Sequence, residues 1–252
     1  MNPYLSIIIP CFNEEENLRR GVLDEVFDYL KKQKFSYEVI ISDDGSSDKS
    51  RQLVEIFIKG KHDFIYLKNP HGGKPSAVKA GLLKARGEWV LFTDMDQATP
   101  IGELSKILPF FKEYDIVIGS RGLTRKSFPL YRKLASAAFL AIRRPFLLRK
   151  ITDTQCGFKA LKRKIALEIF PRLQVFLIKD KIRGWRVSAY DVEMLFIAEK
   201  AGYKIAEVPV TWEDKDITRG KKRSFVKESK EMLLEILRIK LADLRGRYEV
   251  WS

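Results

Sequence analysis

The stretch "WVLFTDMDQATP", residues 89–100, joins four apolar residues to two carboxylates one residue apart. Trp89 to Phe92 has the character of a buried strand. Side chains alternate across a strand, so Asp94 and Asp96 share one face if the chain stays extended. Like charges repel there, and burying either one unpaired costs on the order of several kcal/mol. A divalent cation removes the conflict, because hard metals take oxygen ligands. The ordinary alternative is a solvated strand end, where Asp is common turn chemistry. The flanking sequence has to decide between them.

On either side of this run, β-rich segments alternate with helical patterns. "LSIIIP" (5–10), "YEVIIS" (37–42), "FIYLKN" (64–69), "DIVIGSR" (115–121) and "YKIAEVPVTWED" (203–214) read as strands. Amphipathic patterns over Glu14 to Lys32, and over residues 49–60, 74–87 and 103–113, read as helices. Unbroken Ile/Val runs mark strands covered on both faces, which predicts a mainly parallel sheet with helices on each side. Short connections make this a doubly wound α/β domain. In such sheets the ligand sits outside the carboxyl ends of the strands. Asn13, Glu14, Asp43, Asp44, Asp94 and Asp96 all fall there.

The chain has 252 residues, 45% of them hydrophobic, with a net charge of +14. One continuous domain with C-terminal elaborations is expected, since no linker or internal repeat interrupts it. The charge calls for an anionic partner: nucleic acid, an anionic membrane surface or a phosphorylated substrate. The basic residues are dispersed and no reading module is recognisable, which counts against nucleic acid. Two distant cysteines, Cys11 and Cys156, exclude a disulfide framework or zinc site and fit a reducing compartment. The first residues lack a basic region and a long apolar run, so no signal peptide is expected. No segment reaches the length of a spanning helix.

Several motifs have ordinary alternatives. "HGGKPSAVKAG" is not a Walker loop, because Pro75 stands where Ser or Thr must follow the lysine. Gly72, Gly73 and Lys74 can still approach an anion at a helix start, or form a plain helix start with Pro75 in its first turn. No GxGxxG follows the first strand. "DDGSSD" is turn chemistry, with a serine able to cap the next helix.

Six blocks in order, "SIIIPCFNEEENL", "VIISDDGSSD", "GGKPSAVKAGLLKARGEWVLFTDMD", "VIGSR", "DTQCGFKAL" and "AYDVEMLFIAEKAGYKIAEVPVTW", resemble the family 2 glycosyltransferases of the GT-A fold. The last two blocks are most similar to dolichyl-phosphate glucosyltransferases. The resemblance implies a nucleotide-sugar half over 1–122 and an acceptor and membrane-facing half over 123–252. It implies that Pro10, Phe12 and Glu14 hold the nucleoside, that Asp43 or Asp44 faces the base, and that Lys74 serves the donor. Asp94 and Asp96 match the DxD that binds ribose, diphosphate and a divalent metal, Mg2+ or Mn2+. Relatives often carry Gln two positions beyond the DxD; here Gln97 follows at once and is counted with the metal set. Arg121, Arg132 and Ser136 match positions that grip an acceptor phosphate, and Asp153 matches a carboxylate at the reaction centre. Arg219, Lys221 and Lys222 stand where many members close a loop over the diphosphate.

The resemblance therefore implies an inverting transfer of a hexose, glucose from UDP-glucose, onto dolichyl or polyprenyl phosphate at the cytosolic membrane face. GDP-mannose as donor, or a soluble or glycan hydroxyl as acceptor, is the alternative. The basic, apolar stretch from Phe128 to Lys150 reads as an interfacial membrane helix or as a helix packed on the core. The amphipathic helix from about Phe225 reads as a second membrane element, a subunit contact or a helix packed on the sheet.

Overall fold

The computed structural model describes residues 2–122, 148, 151–177, 190–213 and 225–249, with backbone alone over 225–233. Among the described residues seven strands form one sheet in the order β3-β2-β1-β4-β6-β5-β7. They are β1 (Leu5–Cys11), β2 (Tyr37–Asp43), β3 (Phe64–Lys68), β4 (Trp89–Phe92), β5 (Ile116–Ser120), β6 (Lys159–Lys162) and β7 (Ile205–Pro209). β1 pairs in parallel with β2 and β4, β2 with β3, and β5 with β7. β1 is buried along its whole length, as its unbroken apolar run requires.

β6 breaks the parallel rule. It runs antiparallel to both β4 and β5 and sits between them. The sequence pattern did not reveal it, because "KALK" is short and begins with a residue type that normally stays in water.

The helices are α1 (Glu15–Arg19), α2 (Val22–Leu30), α3 (Ser50–Phe57), α4 (Lys74–Lys84), α5 (Leu104–Ile107), α6 (Arg163–Ile169), α7 (Tyr190–Lys200) and α8 (Phe225–Leu244). The single helix expected over 14–32 is two, divided at Gly21, whose φ of +86° lies in the left-handed region. One face of the sheet packs Ile8, Ile40 and Phe92 against α4, α6, α7 and α8 through Val78, Ile165, Met194 and Ile239. The other packs Ile7, Val39 and Leu91 against residues such as Val26, Val54 and Leu104. The strand order reverses between β1 and β4, so a crevice opens at their carboxyl ends.

Candidate active site

At the ends of β1 and β2 two loops hold each other. Asn13 adopts a positive φ of 55°, tolerated by its short polar side chain. Its Oδ1 accepts from the Ser47 N–H at 2.8 Å, while its own N–H donates to Ser46 Oγ at 2.9 Å. The Glu14 N–H donates to Ser50 Oγ at 2.7 Å, and the Glu14 carboxylate accepts from Asn17 Nδ2 at 2.6 Å. Pro10 is the penultimate residue of β1. Beyond it, Phe12 stacks on His71, with ring centroids 4.6 Å apart and planes 23° from parallel.

Asp43 accepts from Ser46 Oγ and from the Tyr66 hydroxyl, the latter at 2.7 Å. Asp44 is fully buried and accepts from the Gly72 and Gly73 N–H groups at 2.9 and 2.8 Å. His71 Nδ1 lies 2.8 Å from its Oδ2. The anion expected at the Gly72-Gly73 turn is thus the chain's own Asp44, and its carboxylate is enclosed where an exposed, base-facing group was one of two expectations. Burial pushes its carboxyl up, against the pull of the two N–H groups and His71.

Beyond β4 the chain leaves the strand and turns, with Met95 buried in the core and Asp94 and Asp96 partly exposed. Lys74, the first residue of α4, reaches across to pair with Asp94 Oδ1. Burial alone would raise the Asp94 carboxyl, but Lys74, then Lys159 and Arg121, hold it below its ordinary value. A Cβ on Gly157 would lie 1.9 Å from Asp94 Oδ2, so only glycine lets the carboxylate occupy this place. Asp96 Oδ1 accepts from the Ala98 N–H at 2.9 Å, and Arg20 donates to the Asp96 carbonyl at 2.6 Å.

Gln97 lies inside the turn that follows β4. It is 2% exposed, with a φ of 49°. Its Nε2 donates to the Asp94 carbonyl at 2.9 Å and its Oε1 accepts from the Ile101 N–H at 2.9 Å. Both ends of the amide hold the chain reversal after β4, which turns the side chain into the fold.

A second ionic group lies at the end of β5. Arg121 meets Asp153 in a two-pronged pair, Nε to Oδ2 and Nη2 to Oδ1, each at 2.7 Å. The Arg121 N–H also donates to Oδ2, and the guanidinium lies over the Trp212 ring at 5.7 Å. Glu207 of β7 holds the segment from the other side, accepting from the Thr152 hydroxyl and from the Thr152 and Asp153 N–H groups, the last two at 2.7 Å each. Lys159 and Asp191 were not foreseen. Lys159 is 1% exposed, yet its ammonium pairs with Asp191 at 2.8 Å and donates to the Cys156 carbonyl. A lysine that opens a strand reads as a surface residue; the signal available was only that it follows "DTQCGF" directly.

The geometry brings together Lys74, Asp94, Arg121, Asp153, Lys159 and Asp191 at the β4, β5 and β6 ends. Arg132, Ser136, Arg219, Lys221, Lys222 and the stretch 128–147 lie outside the described residues. Among the described residues no three His, Cys, Asp or Glu side chains gather to enclose an ion. Two outward carboxylates suit a hard cation that takes its other oxygens from a diphosphate, as Mg2+ commonly does. Asp94, with 36% of its side chain exposed, meets that requirement.

A family model for glycosyl transferase family 2 matches residues 6–170. A dolichyl-phosphate beta-glucosyltransferase of Dictyostelium discoideum is 34% identical over 272 aligned residues, covering 100% of this chain and 78% of the relative. The protein of that name from Saccharomyces cerevisiae is 29% identical, covering 97% and 76%. Among solved structures, glucosyl-3-phosphoglycerate synthase from Mycobacterium tuberculosis, in complex with Mn2+, UDP and glucosyl-3-phosphoglycerate, superposes with a TM-score of 0.62 at 18% identity. The match covers 99% of this chain and 81% of that one. A mannosyltransferase from Pyrobaculum calidifontis in complex with GDP-Man and Mn2+ gives 0.57 at 16% identity, covering 100% and 77%. These structural likenesses establish the GT-A fold. With the outward carboxylates at the reversal of strand order and a family model spanning most of the chain, one conclusion stands: this chain belongs to glycosyl transferase family 2.

Proposed function

We propose that the chain transfers glucose from UDP-glucose to the phosphate of dolichyl or a related polyprenyl phosphate, with inversion at the anomeric carbon. The observation that carries this reading is the meeting of two ionic groups, Lys74–Asp94 and Arg121–Asp153, at one end of the sheet. One suits a diphosphate leaving group and the other an incoming phosphate. The relatives named dolichyl-phosphate beta-glucosyltransferase support the choice of sugar and acceptor.

Pro10, Phe12, Glu14 and Asp43 would form the nucleoside end, with Lys74 reaching the diphosphate. Asp94 and Asp96 would hold Mg2+ or Mn2+, which supplies Lewis-acid neutralisation of the departing diphosphate. The acceptor phosphate needs no general base. Its second pKa, about 6 by analogy with phosphoserine, leaves it a dianion at neutral pH. The Arg121 guanidinium, held by Asp153 through Nε and Nη2, would offer its remaining N–H groups to the phosphate together with Arg132 and Ser136. The Asp153 carboxylate would steady positive charge developing at the anomeric carbon. Attack from the face opposite the leaving group gives inversion. Two buried free thiols, Cys11 and Cys156, and the basic balance favour the cytosolic side of a membrane, with the protein peripheral to it.

The test offers radiolabelled UDP-glucose, other UDP-sugars and GDP-mannose with phytanyl phosphate, in Mg2+, Mn2+ or EDTA. Transfer from UDP-glucose, lost in EDTA, is expected. Preference for GDP-mannose, or transfer to phytanol in place of its phosphate, would overturn the assignment.

A further inference from the structure

The last helix, α8, has two apolar faces. Ile236, Ile239 and Ala242 pack into the core, 3%, 1% and 7% exposed. Leu234, Leu237, Leu241 and Leu244 point the other way, 44%, 53%, 52% and 73% exposed. Their spacing of three, four and three residues lines them up as one stripe. Single exposed leucines are ordinary, but here four of the eight exposed large hydrophobics among the described residues stand in one row.

The residues beside the stripe indicate what covers it. Arg238 and Arg245 are exposed at its edges. Asp243 is held on the inner side by Lys200 of α7 and by Lys240. Glu235 is paired to Arg238 along the helix, an exposed contact of little strength. A second copy pressed stripe to stripe would set these arginines against their own counterparts. An anionic lipid surface meets both the leucines and the arginines favourably. Among the described residues no helix is long and apolar enough to cross a membrane, so attachment by these residues is to the surface.

We infer that the Leu234–Leu237–Leu241–Leu244 stripe of α8 docks the protein on an anionic lipid surface. The inference takes its functional sense from the lipid-acceptor reading above. The full chain is sedimented with vesicles of phosphatidylcholine alone and of phosphatidylcholine mixed with phosphatidylserine. Leu237→Gln, Leu241→Gln and Leu244→Gln together should lower partition onto the mixed vesicles by about tenfold or more. Leu83→Gln, an equal change on the exposed face of α4, should leave it unaltered. All four leucines face water, so circular dichroism and thermal melting of the triple variant should match the parent. Partition of the triple variant equal to the parent, or a parent that ignores mixed vesicles, overturns the inference. So does a parent dimer by light scattering that the triple variant dissolves, which would assign the stripe to a second copy. Transfer to phytanyl phosphate in detergent separates the two ideas. If vesicle binding follows the stripe while no transfer occurs, docking stands and the acceptor reading falls; if transfer occurs and vesicle binding ignores the stripe, the reverse holds.

Discussion

Two pairs of carboxylates stand at the same edge of the sheet and are satisfied in opposite ways. Asp43 and Asp44, at the end of β2, accept from neutral donors: the Tyr66 and Ser46 hydroxyls and the Gly72 and Gly73 N–H groups. Those donors are part of the framework and cannot leave. Asp94 faces a cation on a flexible side chain, Lys74, whereas Asp153 is gripped by the Arg121 guanidinium and also accepts from the Arg121 and Gln155 N–H groups. A carboxylate held by backbone fixes a loop in place, because removing it strands buried donors. One held by a flexible ammonium can exchange that partner for a metal or share it with a phosphate. Asp43 and Asp44 build the site, Asp153 is fixed with Arg121, and Asp94 is the carboxylate free to exchange its partner.

The largest effect that would sharpen this contrast is at Asp94. Asp94→Asn should lower transfer about several hundredfold or more, since a Lewis-acid contribution of several kcal/mol is lost at 1.36 kcal/mol per decade. Thermal stability should fall as well, because Lys74 loses its partner, but the fold should survive by circular dichroism. Turnover of this variant at the parent's rate in saturating donor and metal would erase the distinction. Because its cationic neighbours hold the Asp94 carboxyl below its ordinary value, the charged pair persists above that range and is lost only as pH falls through the depressed value. The acid limb of the rate profile should therefore not steepen near pH 5 on its account.

Gly157→Ala comes next. Its new methyl group would force the Asp94 carboxylate to move, and a displacement of about 1 Å can cost about a hundredfold in rate. Steady-state kinetics should place the loss in kcat more than in the binding of UDP-glucose. An unchanged kcat would show that the position of Asp94 is not critical.

Asp44→Asn should act on stability first. Its neutral amide cannot serve both N–H groups and His71 as the carboxylate does, a loss of about 1–3 kcal/mol. At about 2–4 °C per kcal/mol for a chain of this size, calorimetry should show a clear fall in Tm. A full-rate enzyme with a normal Tm would remove Asp44 from the framework.

Gln97→Ala is the smallest change. It strands the Ile101 N–H and should cost about 1–3 kcal/mol of stability, at the lower end if water enters. The Mn2+ concentration for half-maximal rate should not move. A tenfold weaker metal response would restore Gln97 to the ligand set.

The sequence alone determined the strand-by-strand alternation, because fully covered strands must be continuously apolar, and "LSIIIP", "YEVIIS" and "WVLF" could be nothing else. It placed Asp43, Asp44, Asp94 and Asp96 at carboxyl ends, whereas the partial exposure of Asp94 and Asp96 around a buried Met95 follows from the turn after β4. What each carboxylate meets was decided only by tertiary structure. Asp44 is adjacent to Asp43 in the chain, yet its partners come from 28 and 29 residues away. Lys159 opens an antiparallel strand that its polar composition conceals, and its charge is tolerated inside the protein only because α7 delivers Asp191 to it. The Gln97 amide closes the turn after β4 because the backbone reverses there at a positive φ. Local pattern records which residues must leave water, whereas the partner of a buried charge is fixed by long-range packing that no local stretch encodes.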